Sequence, residues 1–148
     1  MAVFVINEWL WADSSGENGL QAQRETFNFV TQFAVSEHRM VFIEGSAFDQ
    51  KAWKLCKSTN VIVGAIASAF VRSVRQNSDR CLILKPEGVI TIPDELAAAT
   101  KPEDHYLLHA MMSVGDSILI TTDGPLREAV SRAGLACFSR EDFFRIYF

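Results

Sequence analysis

The sequence predicts an α/β fold: a three-layer sandwich with a central, mainly parallel sheet, in a single domain spanning residues 1–148. Three observations carry that expectation. Short β-prone runs that are apolar at successive positions recur along the chain, as strands covered on both faces do. Between them lie segments whose apolar residues fall three and four apart, the spacing of one helix face. Strands and helices therefore alternate, which calls for crossover helices between parallel strands. With 49% hydrophobic residues, including eleven phenylalanines and three tryptophans, the chain has material for a substantial core without staples.

Residues 2–6 (AVFVI) read as a first, central strand, ended by Asn7 and Glu8. Trp9, Leu10 and Trp11 suggest a short helical turn, and 12–19 (ADSSGENG) a polar loop. A helix over Leu20–Val35 follows, with Phe27, Val30, Phe33 and Ala34 as its inner stripe. Residues 39–44 (RMVFIE) form a second strand, and Ser46 caps a helix whose inner face is Phe48, Ala52, Leu55 and Cys56. A further helix covers about 60–76, with Ile62, Ile66, Ala69 and Phe70 inward. Residues 80–85 (RCLILK) make a third strand, and 89–92 a short hairpin arm.

The stretch 103–124 is the most informative. Asp104 opens a helix with Leu107, Leu108, Met111 and Met112 on one face, and Thr100 and Glu103 are spaced as a capping box. Gly115-Asp116 breaks it, Ile118–Ile120 is a buried strand, and Asp123-Gly124-Pro125 starts another helix. Gly134 stops that helix, 135–138 (LACF) is a last strand, and Ser139 begins a terminal helical turn.

Several functions lack support. The formal charge of −4 gives no global attraction to nucleic acid, although it leaves room for local basic patches. The three cysteines, Cys56, Cys81 and Cys137, are odd in number, scattered and set among apolar residues, so they read as reduced core residues. No run approaches the ~18 apolar residues of a membrane span, and the start MAVFVINEW looks like a strand, making the cytoplasm the expected compartment. There is no glycine-rich phosphate loop, no nucleophile elbow, and no zinc-spaced Cys or His set. His105 and His109 are four apart, but with no third ligand in view they read as a helix shoulder.

Polar residues at strand ends and helix starts remain: Asn7 and Glu8, Glu44, Asp104 and Asp123. In a parallel sheet these positions share one edge, where open α/β sheets bind ligands. Converging carboxylates repel one another unless a hard divalent cation neutralises them, and oxygen ligands that leave room for water suit Mg²⁺ or Mn²⁺. Taken singly, Asp104 and Asp123 are more simply acids favoured at helix starts; it is their shared edge that points to function.

The segment DHYLLHAMMSVGDSILITTDGPLREAVSRAG resembles the C-terminal half of a PIN domain, with Asp104, Gly115, Thr121, Asp123 and Gly134 at the matching places. The first strand and the length fit as well. The resemblance implies a fold like the 5′-nucleases and a ribonuclease dependent on Mg²⁺ or Mn²⁺, of the kind found in toxin–antitoxin systems. It implies metal-binding roles for Asp104 and Asp123, and a supporting hydrogen bond from Thr121. An antitoxin-like protein partner is the associated expectation; separately, apolar residues on the helix after Leu20 offer a surface for a homodimer, with core packing the alternative.

Two places depart from the pattern. Asn7 stands where the family's first strand usually ends in aspartate, which weakens the metal site. Glu8 is adjacent, but neighbours on a strand point oppositely. For the middle acid, Glu44 is preferred because strand ends aim at the edge, with Asp49 as the alternative. Lys51, Lys54, Lys57, Arg72 and Arg75 offer a basic surface for a phosphate backbone, and Trp9 and Trp11 offer base stacking; a solvated face and core packing are the plainer readings. The two functions carried forward are a PIN-type ribonuclease and a PIN-like binding or assembly module that has lost catalysis.

Overall fold

Hydrophobic alternation within each strand sends successive side chains into two separate cores, and this organises the structure. In the computed structural model, which describes residues 1–88 and 90–148, five strands form one all-parallel sheet. They are β1 (Val3–Ile6), β2 (Arg39–Ile43), β3 (Cys81–Leu84), β4 (Ser117–Ile120) and β5 (Cys137–Phe138), in the order β3-β2-β1-β4-β5. Phe4 and Ile6, Met40 and Phe42, and Ile120 face one core; Val5, Val41, Ile43 and Leu119 face the other. The expected α/β sandwich with a parallel sheet is present.

The first core is closed by α1 (Trp9–Ser14), α2 (Leu20–Val35), α3 (Ala47–Cys56), α4 (Val61–Phe70) and α8 (Arg140–Tyr147). It is largely aromatic: the Phe4 ring lies 4.8 Å from Phe143 and 4.9 Å from Tyr147, edge to face in both cases. The second core is closed by α5 (Asp94–Ala99), α6 (His105–Ser113) and α7 (Gly124–Arg132). Helix starts are set locally. Ser46, Asn60, Asp123 and Ser139 each accept a backbone N–H of the following first turn. Gly134, at φ 79°, turns the chain out of α7 as a left-handed stop.

Some expectations change. The helix from 60 widens into a π-turn at Val71–Arg75. α2 buries Gln23, Thr26, Phe29, Val30 and Phe33, while Phe27 is 48% exposed, so its inner face is rotated from the predicted stripe. On α4, Val63 is buried and Ile62 exposed. The capping box does not form: the Thr100 hydroxyl donates back to Leu96 O at 2.9 Å, closing the unforeseen α5. Of the predicted hairpin arm, Val89 lies outside the described residues and Ile90–Ile92 carry no strand pairing. No helix among the described residues is long and apolar enough to cross a membrane.

The strand order decides where a ligand would sit. From β1 the chain moves outward to β2 and β3, then returns to place β4 on the other side of β1 and β5 beyond it. The connections therefore diverge between β1 and β4, and the crevice at the carboxyl ends of strands flanking such a reversal is the binding position of open α/β sheets.

Candidate functional site

That crevice is built from the residues just past Ile6 and Ile120, which are paired in register. Asn7 continues the ladder, its N–H donating to Ile120 O at 3.1 Å. The Asn7 amide Nδ2 donates to Thr121 Oγ1 at 3.0 Å, and the same hydroxyl oxygen accepts the N–H of Asp123 at 3.1 Å. Buried Thr121 thus ties the end of β1 to the start of α7. Asn7 Oδ1 in turn accepts the N–H of Glu8 at 2.7 Å.

Asp123 caps α7, its Oδ1 accepting Leu126 N–H at 3.1 Å; the capping interaction engages one oxygen. Asp104 occupies the corresponding position before α6, yet its carboxylate makes no cap hydrogen bond. Capping therefore accounts for one oxygen of Asp123 and for none of Asp104, which keeps only the favourable placement of an acid ahead of a helix. The Asp104 carboxyl is held above the usual carboxylate range, first by burial and then by the Asp123 charge, with Glu103 and Glu8 adding to the effect and Lys101 opposing it. Both acids line a cleft of about 310 Å³ with Thr100, Lys101 and Pro125. A larger cleft between α5 and α7, about 560 Å³, shares Ala99 and Pro125 with it.

The other acids are placed differently. Asp49 is buried and bound by Arg75 through Nε at 2.6 Å and Nη2 at 3.2 Å, and it accepts Gly45 N–H at 3.0 Å. Glu44 stands at the end of β2 in an exposed ion pair with Lys85, 2.7 Å from Nζ. β2 and β4 lie on opposite sides of β1, roughly two strand spacings or ~10 Å apart. The structure does not bring Glu44 to the Asp104–Asp123 pair, and among the described residues no three His, Cys, Asp or Glu side chains are grouped as a metal site.

Other predicted contributors are accounted for by packing. Trp9 and Trp11 are buried, donating their indole N–H groups to Ile120 O and Phe48 O, so neither is free to stack on bases. Arg75 is committed to Asp49, whereas Lys54, Lys57 and Arg72 remain exposed. His105 and His109 contact different backbone carbonyls, Ala97 O and Ile90 O. The three cysteines are free thiols. Exposed Leu20 and Phe27 of α2 form an apolar groove with Val61 and Ile62 of α4.

Of the residues whose charge or burial bears on Asp104, Glu8 was named in the sequence as a strand-end acid and then set aside, and Tyr106 was not singled out. Glu8 lies beyond β1, which ends at Ile6, so strand alternation does not direct it away from the site. Tyr106, in the first turn of α6, packs against both cores, and its hydroxyl is occluded without a hydrogen-bond partner. Burial, then the charges of Glu8 and Asp104, push the phenol's pKa up.

The chain matches no protein-family model and no curated protein.

Proposed function

We propose that this protein is a metal-dependent ribonuclease of the PIN type, hydrolysing RNA phosphodiester bonds with Mg²⁺ or Mn²⁺. The observation that carries the reading is the Asp104–Asp123 pair. Two partly buried carboxylates share a cleft at the sheet's reversal point, and among the described residues neither has a protein cation in an ion pair. By contrast, the buried acids Asp13 and Asp49 each have an arginine 2.6 Å away.

The donor set fits a hard, water-rich cation. Mg²⁺ sites commonly use only one or two carboxylates, leaving the remaining positions to water and substrate phosphate. Asp104 would supply a carboxylate that caps nothing, and Asp123 the oxygen not engaged by Leu126. Asn7, locked by Thr121, would orient a neutral carbonyl oxygen or a water toward them. When bound, the cation supplies Lewis acidity toward the phosphodiester and lowers the pKa of bound water. Lys101 in the same cleft provides a positive charge for the substrate backbone.

The test is Mn²⁺ titration against single-stranded RNA with wild type, Asp104→Asn and Asp123→Asn. Cleavage by wild type that both substitutions abolish, with circular dichroism unchanged, is expected. No cleavage, or cleavage that survives both changes, refutes the reading.

Asn7 specifically favours a second reading, a binding or assembly module that has lost catalysis, because the amide offers no charge and is already bonded to Thr121. Calorimetric Mn²⁺ uptake without RNA turnover would support that alternative.

A further inference from the structure

We propose that residues 90–101, the stretch that carries α5, form a strap over the crevice, latched to α6 by two histidines and released as one unit to open both clefts. The inference concerns access to the crevice and does not depend on which ligand enters it.

The stretch is thinly packed. Leu96 is its one buried side chain, 5% exposed, and Ile92 is partly buried against the second core. None of it pairs with the sheet. The Ala97 N–H donates to Pro93 O and the Thr100 hydroxyl to Leu96 O, so these bonds stay inside the stretch. Few buried apolar contacts and self-contained hydrogen bonds mark a segment that opens at less cost than the whole fold.

Its attachment is specific. The Ser113 hydroxyl donates to His109 O at 2.8 Å and accepts Ile90 N–H at 2.9 Å. His109 Nδ1 lies 3.0 Å from Ile90 O, and His105 Nε2 lies 3.1 Å from Ala97 O. A carbonyl oxygen only accepts, so both of these ring nitrogens carry a proton and both imidazoles donate. Two histidines about one helical turn apart therefore grip the backbone on either side of the Leu96 anchor. Apart from the Asp104 N–H bond to Lys101 O where the stretch runs into α6, no other hydrogen bond among the described residues ties it to the fold.

The strap is also a wall of both clefts. Pro93, Glu95 and Leu96 line the larger one opposite residues of α7, Thr100 and Lys101 line the smaller one with Asp104 and Asp123, and Ala99 belongs to both. Lifting the stretch off α6 widens the two together.

Hydrogen exchange of the whole chain, read by mass spectrometry with β4 as the reference for global stability, tests the strap. Amides of 90–101 should exchange ~100-fold faster than those of β4 and α6, as a sub-global opening does. His109→Ala removes one latch and should speed exchange by ~2–12-fold, the worth of one hydrogen bond. The gain should be as large at 97–101 as at Ile90, and His105→Ala should act equally on both ends in the same way. His109→Asn and His105→Gln, whose amide nitrogens replace Nδ1 and Nε2 as donors, should return the wild-type rate. Access is read by a bulky maleimide on Ala129→Cys in the larger cleft, where either alanine variant should raise labelling by the same factor as exchange. Protection of 90–101 equal to that of α6 overturns the inference, as does an effect of each variant confined to the bond it removes. Labelling at position 129 that ignores both latches while exchange responds overturns it too.

Discussion

Replacing Asp49 separates a structural acid from a catalytic one. Its carboxylate accepts three hydrogen bonds, from Arg75 Nε at 2.6 Å, Arg75 Nη2 at 3.2 Å and Gly45 N at 3.0 Å. The side chains of Asp49 and Arg75 are 4% and 11% exposed, so solvent cannot take over either charge. Arg75 is further fixed over the rings of Phe42 and Trp53, 5.7 and 5.8 Å from their centroids, and would remain in place when its partner is lost. Removing one member of a buried pair costs about 3–5 kcal/mol. Asp49→Asn keeps one acceptor oxygen and belongs near the lower figure; Asp49→Ala belongs near the upper. At about 2–4 °C per kcal/mol for a chain of this size, the loss for Asn corresponds to a melting temperature lower by about 6–12 °C.

Urea unfolding followed by tryptophan fluorescence in EDTA measures this directly. The midpoint should fall with the slope unchanged. The double replacement Asp49→Leu with Arg75→Met should recover most of the loss, because no charge is then stranded. A midpoint for Asp49→Asn within error of wild type would refute the argument. If Mn²⁺ affinity then fell while stability held, Asp49 would be a metal-binding acid and not a structural one.

Three further outcomes follow from the same structure. Because the Asp104 carboxyl is raised in the fold, the native state binds more protons than the unfolded chain between the ordinary value of 3.8 and that raised value, so the contribution from Asp104 declines as pH rises through that window. In EDTA at neutral pH, Asp104→Asn should therefore melt higher than wild type, and Mn²⁺ should raise the melting temperature of wild type alone. Asp123→Ala should be less stable than Asp123→Asn by ~1 kcal/mol in urea, since asparagine retains the cap to Leu126, while both lose Mn²⁺ binding. In native protein a thiol reagent should modify Cys56 first. Cys81 is buried with its Sγ–H donating to Arg75 O, and burial pushes the Cys137 thiol up to about 11, so both react slowly near neutral pH.

The parallel sheet was legible because its signal is local. AVFVI, RMVFI and the SILI of β4 are apolar at alternate and intervening positions, which only a strand buried on both faces needs. The helix starts at Ser46 and Asp123 were legible for the same reason, since capping is decided within a few residues. The strand order was not, because it depends on which side of β1 the returning chain docks. Without it, Glu44 and Asp123 seemed equivalent strand-end acids, although β1 separates their strands. The bond from Arg75 to Asp49 spans 26 positions and leaves no mark in local periodicity. α5 was missed because DELAAA has a single buried apolar residue, Leu96, and so lacks an amphipathic stripe. Glu8 was set aside by extending strand alternation one residue too far, past the point where the ladder gives way to α1.

The distribution of cations along the sheet's carboxyl edge gives the proposed site its strongest physical logic. On the β2–β3 side, Lys85 meets Glu44 and Arg75 meets Asp49. On the outer helices of the same first core, Arg140 bridges Asp13 and Glu25 while lying over the Phe144 ring, 4.6 Å from its centroid. At the reversal between β1 and β4 the pattern stops: Asp104 is disfavoured as an anion by burial and by Asp123, and Lys101 opposes this without forming an ion pair among the described residues. A fold that neutralises its other buried acids with arginine has left this pair to repel, a state that costs stability unless a ligand offsets it. On the reading proposed here that ligand is a divalent cation.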